Sequence, residues 1–175
     1  MIWFTADYHL GHKNIIKYCE RPFKNVKEMD KTIIRNHNSR VKPNDTVYFL
    51  GDFCFRNTNK DRKAERYIKK LNGRFVFIRG NHDNNNSLKT RLYACIINMG
   101  NMSIFLVHNP INYMKNYHMT FHGHVHGLWK FKYEKDNHPL VNVGVDVWNF
   151  MPVTFNEIMK EFQRWKKIEN QYLKK

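Results

Sequence analysis

Apolar residues recur along this chain in two rhythms, continuous runs of strand length and stripes at helical spacing. Positions 2–6 form a short β-rich run, and Thr46-Val47-Tyr48-Phe49-Leu50 and Phe75-Val76-Phe77-Ile78 read as buried strands. Between the first two, Val26, Met29, Ile33, His37 and Val41 predict an amphipathic helix over 26–41. Ala64, Tyr67, Ile68 and Leu71 follow i, i+3, i+4, i+7, and Gly73 stops that helix. The second half is mostly strand. Residues 94–98 and 102–107, around Met99-Gly100-Asn101, predict a hairpin, Met119-Thr120-Phe121 a shorter strand and 140–147 another. Thr154 with Glu157 three residues on makes a capping box, and Ile158, Phe162 and Trp165 form an apolar stripe, so the tail reads as helix. Strands alternating with helices, then giving way to mostly strands, predict a layered α/β domain with mixed sheets.

Composition narrows the class. At 175 residues with 42% hydrophobic positions the chain fits one globular domain, 1–175, able to bury a core. No repeat or linker interrupts it, and Asn57-Thr58-Asn59-Lys60 and Asp83-Asn84-Asn85-Asn86-Ser87 read as loops. No run approaches the ~18 apolar residues of a membrane span. The first residues have neither a basic lead nor a long apolar stretch, and Cys19, Cys54 and Cys95 lack metal or redox spacing. Reduced thiols and a cytoplasmic location are therefore expected. Thirty Lys and Arg against fifteen Asp and Glu give a net charge of +15. Such a field attracts polyanions such as nucleic acid, although the abundance of Asn beside Lys also fits the drift of an AT-rich genome.

The ionisable residues change the picture most. Asp7 sits just past the first strand, Gly51-Asp52 ends the second, and Gly80-Asn81-His82-Asp83 follows the third. His108 ends the strand over 102–107, and Gly123-His124-Val125-His126 follows the next. Sites in open α/β sheets form beyond the carboxyl ends of strands, so five strands deliver Asp, His or Asn to what can be one rim. The donors are imidazoles, carboxylates and one amide, without thiolates. That mixture argues against a structural zinc site and an all-oxygen cage, and suits Mn²⁺, Fe or Zn²⁺. One bridging carboxylate lets seven ligands serve two ions ~3.5–4 Å apart. On its own His108 reads as a structural histidine; the ordered set DxH, GD, GNHD, GHxH is what gives it a role. His37, on an apolar helical stripe, and His138, in a polar turn, read as structural.

Asp7-Tyr8-His9, Gly51-Asp52, Gly80-Asn81-His82-Asp83, His108 and Gly123-His124-Val125-His126 resemble, in order, the five signature blocks of the calcineurin-like metallophosphoesterases. Asn142-Val143-Gly144-Val145-Asp146, ahead of Trp148 and Pro152, also resembles the closing strand of small bacterial and phage members. The resemblance implies a four-layer α/β/β/α sandwich with two mixed sheets and a metal site at the C-terminal ends of the strands. It implies one metal on Asp7, His9, Asp52 and His126, and a second on Asp52, Asn81, His108 and His124, with Asp52 as the bridge. Two divalent ions are expected, Mn²⁺ first, with Fe, Zn²⁺ or Ni²⁺ as alternatives. The implied chemistry is in-line attack on phosphorus by a hydroxide bridging the two metals. His82 would protonate the leaving oxygen, and Asp83 would orient or tune it.

Candidate substrate contacts are weaker signals. Gly11-His12-Lys13-Asn14 directly follows the first ligands and can place His12, Lys13 or Asn14 over a phosphate. Arg56 follows Asp52 by four residues, Asn84 follows the catalytic block, and Tyr117 and His118 precede the last ligands. Arg21-Pro22-Phe23 is either another contact or a turn anchored by Phe23. The basic tail (Arg164, Lys166, Lys167, Lys174, Lys175) reads as the outer face of a packed helix rather than a grip on nucleic acid or membrane. A phosphodiesterase is expected over a monoesterase; the chain lacks room for a large cap domain, which favours an open site, and an open basic rim favours nucleotides or nucleic-acid ends as substrates. The rival readings are a nucleic-acid-binding protein or nuclease acting on RNA or DNA, and a non-catalytic scaffold. Intact ligand positions and His82 argue against the scaffold.

Overall fold

A computed structural model describes residues 1–55, 63–85 and 88–172. The chain runs β1 (Ile2–Thr5), α1 (Lys13–Tyr18), α2 (Val26–Arg40), β2 (Thr46–Leu50), α3 (Lys63–Ile68), β3 (Arg74–Ile78), β4 (Ala94–Met99), β5 (Met102–Val107), β6 (Met119–His122), β7 (Phe131–Tyr133), β8 (Pro139–Asn142), β9 (Val153–Thr154) and α4 (Phe155–Tyr172). Short 3₁₀ turns cover Asn81–Asn85, Pro110–Asn112 and Val145–Val147.

The continuous apolar runs become parallel strands, β1 and β2 mostly buried and β3 half-buried at the sheet edge. One sheet has the order β3-β2-β1-β9, the other β4-β5-β6-β8-β7. Thr5 pairs with Phe49 and Leu50 with Ile78, so β1, β2 and β3 end nearly level. In the second sheet β5, β6 and β8 are likewise parallel, and an isolated bridge from Ala6 to Gly144 joins the strand ends of the two sheets. The level ends put the residues that follow each strand along one rim.

The main core lies between the sheets. Phe4, Leu50 and Ile78 from the first meet Ile104, Leu106, Met119, Phe121 and Val141 from the second, with Phe4 edge-on to Phe121 at 5.2 Å. A second cluster packs Ile15, Met29, Ile33, Ala64 and Leu71 from the α1–α3 region onto Tyr8, Phe49 and Phe53. The remaining helix is α4. Its Phe162 and Trp165 pack on Phe131 and Tyr133 of β7 and close the side of the inter-sheet core. The outer face of the five-stranded sheet is covered by loop residues, Tyr117 on Phe105, Trp129 on His122 and Tyr113 on His138.

The expected α/β class with two mixed sheets is what forms, and the hairpin and the capping box form as expected. The Glu157 carboxylate accepts both the backbone N–H and the hydroxyl of Thr154. Other elements differ. The strand expected over 140–147 stops at Asn142 because Gly144 runs hard against Asp7 and the chain then turns at Val145–Val147. The helix expected to reach Leu71 ends at Ile68, where the N–H groups of Lys70 and Leu71 bond three residues back. His37 is buried as expected, between the Tyr8 hydroxyl and the Asn72 carbonyl. His138, also expected to be structural, is buried and bonded to the Thr120 hydroxyl. Among the described residues, no helix is long and apolar enough to cross a membrane.

The α4 stripe makes a testable case. Phe162 is buried against Phe131 and Trp165. Phe162→Ala is expected to lower unfolding stability by about 3–5 kcal/mol. Denaturant unfolding measures this, and a loss under about 1 kcal/mol would assign the helix to a surface role.

Candidate metal centre

The rim is built from backbone that side chains rarely tolerate. Asp7 (φ 58°), His9 (49°), Asp52 (58°), His124 (72°) and His126 (49°) all lie in the left-handed region. Each such residue costs on the order of 1–3 kcal/mol, and such strain clusters at functional sites. Two glycines make the close approach possible. A Cβ on Gly80 would lie 2.2 Å from the Asp52 carboxylate, and one on Gly51 (φ 91°) would lie 2.3 Å from His108 Nδ1. The loops after β1 and β2 run side by side, with the N–H groups of Asp7 and His9 donating to the Gly51 and Asp52 carbonyls.

Asp83 holds these loops together. Its carboxylate accepts the N–H groups of Asp52 (2.8 Å), Gly80 (2.9 Å) and Phe53 (3.0 Å). These bonds register the Asp52 loop against the Asn81 loop, a task beyond the orienting of His82 that the resemblance implies for Asp83.

All seven candidate ligands bring a side-chain donor atom near that of another. Asp52 Oδ2 lies 3.4 Å from His9 Nε2 and 3.5 Å from His108 Nε2. Asn81 Oδ1 lies 2.9 Å from His108 Nε2 and 3.0 Å from His124 Nδ1. Asp7, His9 and His126 place one donor each within 4.8 Å of one another, and Asp7, Asp52 and His108 do the same. The carboxylate of Asp7 also accepts the N–H of His124 at 2.9 Å.

The donor set fits divalent metal, with two groupings of Asp and His that could each hold an ion. His9 Nε2 is buried without a hydrogen-bond partner although it faces Asp52. His108 Nδ1 sits 2.7 Å from the Leu50 carbonyl and so donates to it, which leaves Nε2 to face Asn81 and Asp52 as a lone pair when the ring is neutral. Acceptors brought this close to one another call for a cation between them.

Charge is strongly perturbed here. Burial pushes the Asp7 carboxyl up to about 7. Burial also disfavours charge on Asp52, but the hydrogen bond and charge of His108 outweigh it and hold Asp52 well below the usual range. His9 is pushed far down by burial. His108 moves up to about 9, its burial outweighed by Asp52 and Asp7.

Behind the ligands lies a buried ion pair. His126 Nδ1 donates to the Asp146 carboxylate at 3.0 Å, and Arg21 grips the same carboxylate through Nε (2.8 Å) and Nη2 (2.9 Å). Arg21 also donates to the backbone carbonyls of Asp7 and Tyr8. A carboxylate behind a histidine fixes its ring and tautomer. Asp146→Asn is expected to weaken one of two bound metal equivalents about 10–100-fold, the usual effect of such a change. Metal titration of the folded variant tests this, and equal weakening of both equivalents would contradict it.

Other sequence candidates fall variously. His12 is buried, stacked on Phe55 at 4.2 Å, with its Nδ1 3.4 Å from that of His9. It also lies 6.0 Å from the His82 ring, between a candidate ligand and the candidate acid. Lys13 and Asn14 are exposed in the first turn of α1. Arg21 is buried beneath the rim, and Phe23 packs on Phe150. Tyr117 and His118 are used within the second sheet, against Phe105 and Ser103. Arg56, Lys174 and Lys175 and the side chain of Asn84 lie outside the described residues.

Comparison with known proteins agrees with the geometry. The chain is 40% identical over 171 residues to an uncharacterized protein of Methanocaldococcus jannaschii, covering 95% of this chain and 94% of that one. It is 37% identical to the gene 66 protein of Mycobacterium phage L5 over 81 residues, 46% of this chain and 39% of the phage protein. The fold is similar to that of a solved Aquifex aeolicus protein of unknown function, with a TM-score of 0.71 and 28% identity over 91% of this chain and 98% of that one. The model of the calcineurin-like phosphoesterases matches residues 1–168, the stretch that carries every rim residue described above, and the chain belongs to that family of metal-dependent phosphoesterases.

Proposed function

We propose that the protein is a phosphodiesterase that uses two divalent metal ions and His82 as general acid. The observation that carries the reading is an exposed His82 beside a buried donor cluster: its ring stands 5.0 Å from that of His9. Asp7, His9, Asp52 and His126 would hold one ion, and Asp52, Asn81, His108 and His124 the other, Mn²⁺ being the expected metal. When bound, the pair supplies an activated water and positive charge for the phosphoryl oxygens.

The residues do the rest. The His82 N–H donates to Asp52 Oδ1 at 2.8 Å, which fixes the backbone that carries the imidazole. That ring gives its proton to the departing ester oxygen and recovers one from solvent, to which it is open. Asp83 keeps the two loops in register, and Arg21 with Asp146 keeps His126 aimed.

The test is hydrolysis of matched aryl phosphate mono- and diesters by the metal-loaded protein. A higher kcat/KM for the diester is expected; the reverse order would make the protein a monoesterase. Nucleic acid as the polyanion is favoured by a groove of about 700 Å³ beside Gly11, lined by Lys27, Lys31, Arg35 and Lys70. Binding of an oligonucleotide there should weaken steeply with added salt.

A further inference from the structure

Two cavities adjoin the metal centre, and each is walled by two of the candidate ligands. His124 and His126 share a cavity of about 470 Å³ with Tyr18 and Leu128. In a second cavity, of about 380 Å³, Asn81 and His108 stand with Arg79 and Tyr93. Both volumes fall in the range of small-ligand sites, ~300–1,000 Å³.

Their walls carry large apolar groups that the fold does not use. Tyr18 is 69% exposed, Leu128 81% and Tyr93 64%, and none of them belongs to a core cluster. Exposed apolar residues gathered at a site, unlike those scattered singly, mark recognition. Each cavity also has a specific feature. The Tyr18 ring lies edge-on to His12, 6.3 Å away, so it stands at the lip of the centre. The Arg79 guanidinium donates to the Tyr93 hydroxyl at 2.8 Å and lies over its ring at 5.4 Å.

A phosphodiester held at the ligands has a separate cavity available to each of its two substituents. A monoester would fill one cavity, whereas a diester fills both. Flat apolar surfaces in each cavity suit planar aromatic groups, since every base has a face that stacks on an aromatic ring. The guanidinium of Arg79 adds a planar cation suited to a phosphate or a base edge. We infer that the substrate is a nucleoside phosphodiester, with one arm against Tyr18 and Leu128 and the other against Tyr93 and Arg79. The inference rests on the phosphodiesterase reading and assigns its substrate class.

The experiment compares metal-loaded wild type with Tyr18→Ala/Leu128→Ala and Tyr93→Ala. The substrates are a dinucleoside phosphate, p-nitrophenyl methyl phosphate as a diester with one small arm, and p-nitrophenyl phosphate. In each variant, preference in kcat/KM for the dinucleoside phosphate over the methyl ester should fall about tenfold or more, the worth of one base–aromatic stack. Tyr18→Phe and Tyr93→Phe, which keep the rings, should restore most of it. An unchanged preference in both variants, with the methyl ester still cleaved, overturns the cavity assignment and leaves the phosphodiesterase reading standing. Cleavage of the monoester alone overturns both. Once the preference falls as expected, the KM of a short oligonucleotide against that of the dinucleoside phosphate distinguishes a strand from a free dinucleotide.

Discussion

Replacing Asp52 with alanine is expected to lower bound metal from two equivalents to fewer than one, and kcat/KM by roughly 10³-fold or more. The carboxylate lies 3.4 Å from His9 and 3.5 Å from His108, which belong to the two different ligand sets. Its loss therefore removes a donor from both ions at once. Even one preorganised charge-stabilising donor is worth ~10²–10³ in kcat, which sets the scale. Alanine also meets strain at φ 58°, a conformation that Asp and Asn tolerate better. Asp52→Asn keeps that tolerance and removes only the charge, so it should show the same metal loss with less change in stability. Elemental analysis alongside circular dichroism measures both, and two retained equivalents in folded Asp52→Asn would refute the bridging role.

His82→Ala is expected to keep both metals and to discriminate between leaving groups. A general acid contributes typically ~10²–10⁴ in rate, most of it where the departing oxygen is basic. Alkyl esters should therefore slow by about that factor, and nitrophenyl esters far less. The exposed ring is bonded to the scaffold through its own backbone, so its truncation leaves the ligand cluster in place. Equal slowing of both ester classes would remove His82 from the acid role.

Much of this was legible in the sequence because the strands at the site carry apolar residues on both faces. β2 and β3 are uninterrupted apolar runs, and α2 shows a clear stripe from Met29 to His37. Elements with little room for a pattern were missed: α1 has six residues, β7 three and β9 two. They persist through tertiary contacts, as β9 does beside β1. The reading over-extended β8 because the run to Val147 is apolar, and hydrophobicity alone does not register how closely Gly144 approaches Asp7.

The site divides along the same line. Ligand blocks announce themselves through their glycines and their place after strands, and the structure brings those residues to one rim. Asp146 and Arg21 are 125 residues apart, and no local pattern says that they meet. The resemblance gives Asp83 the task of orienting or tuning His82, and no motif signals the three backbone N–H groups that its carboxylate also accepts. Residues that hold ligands in place are read from contacts, whereas the ligands themselves are read from motifs.

The measurement that bears most directly on the central claim is hydrolysis of an aryl phosphodiester by chelator-stripped protein, before and after Mn²⁺ is restored. The stripped protein should remain folded and inactive, and activity should return as two equivalents of metal bind. Full activity in the folded, metal-free protein would contradict a metal-dependent phosphodiesterase at this rim.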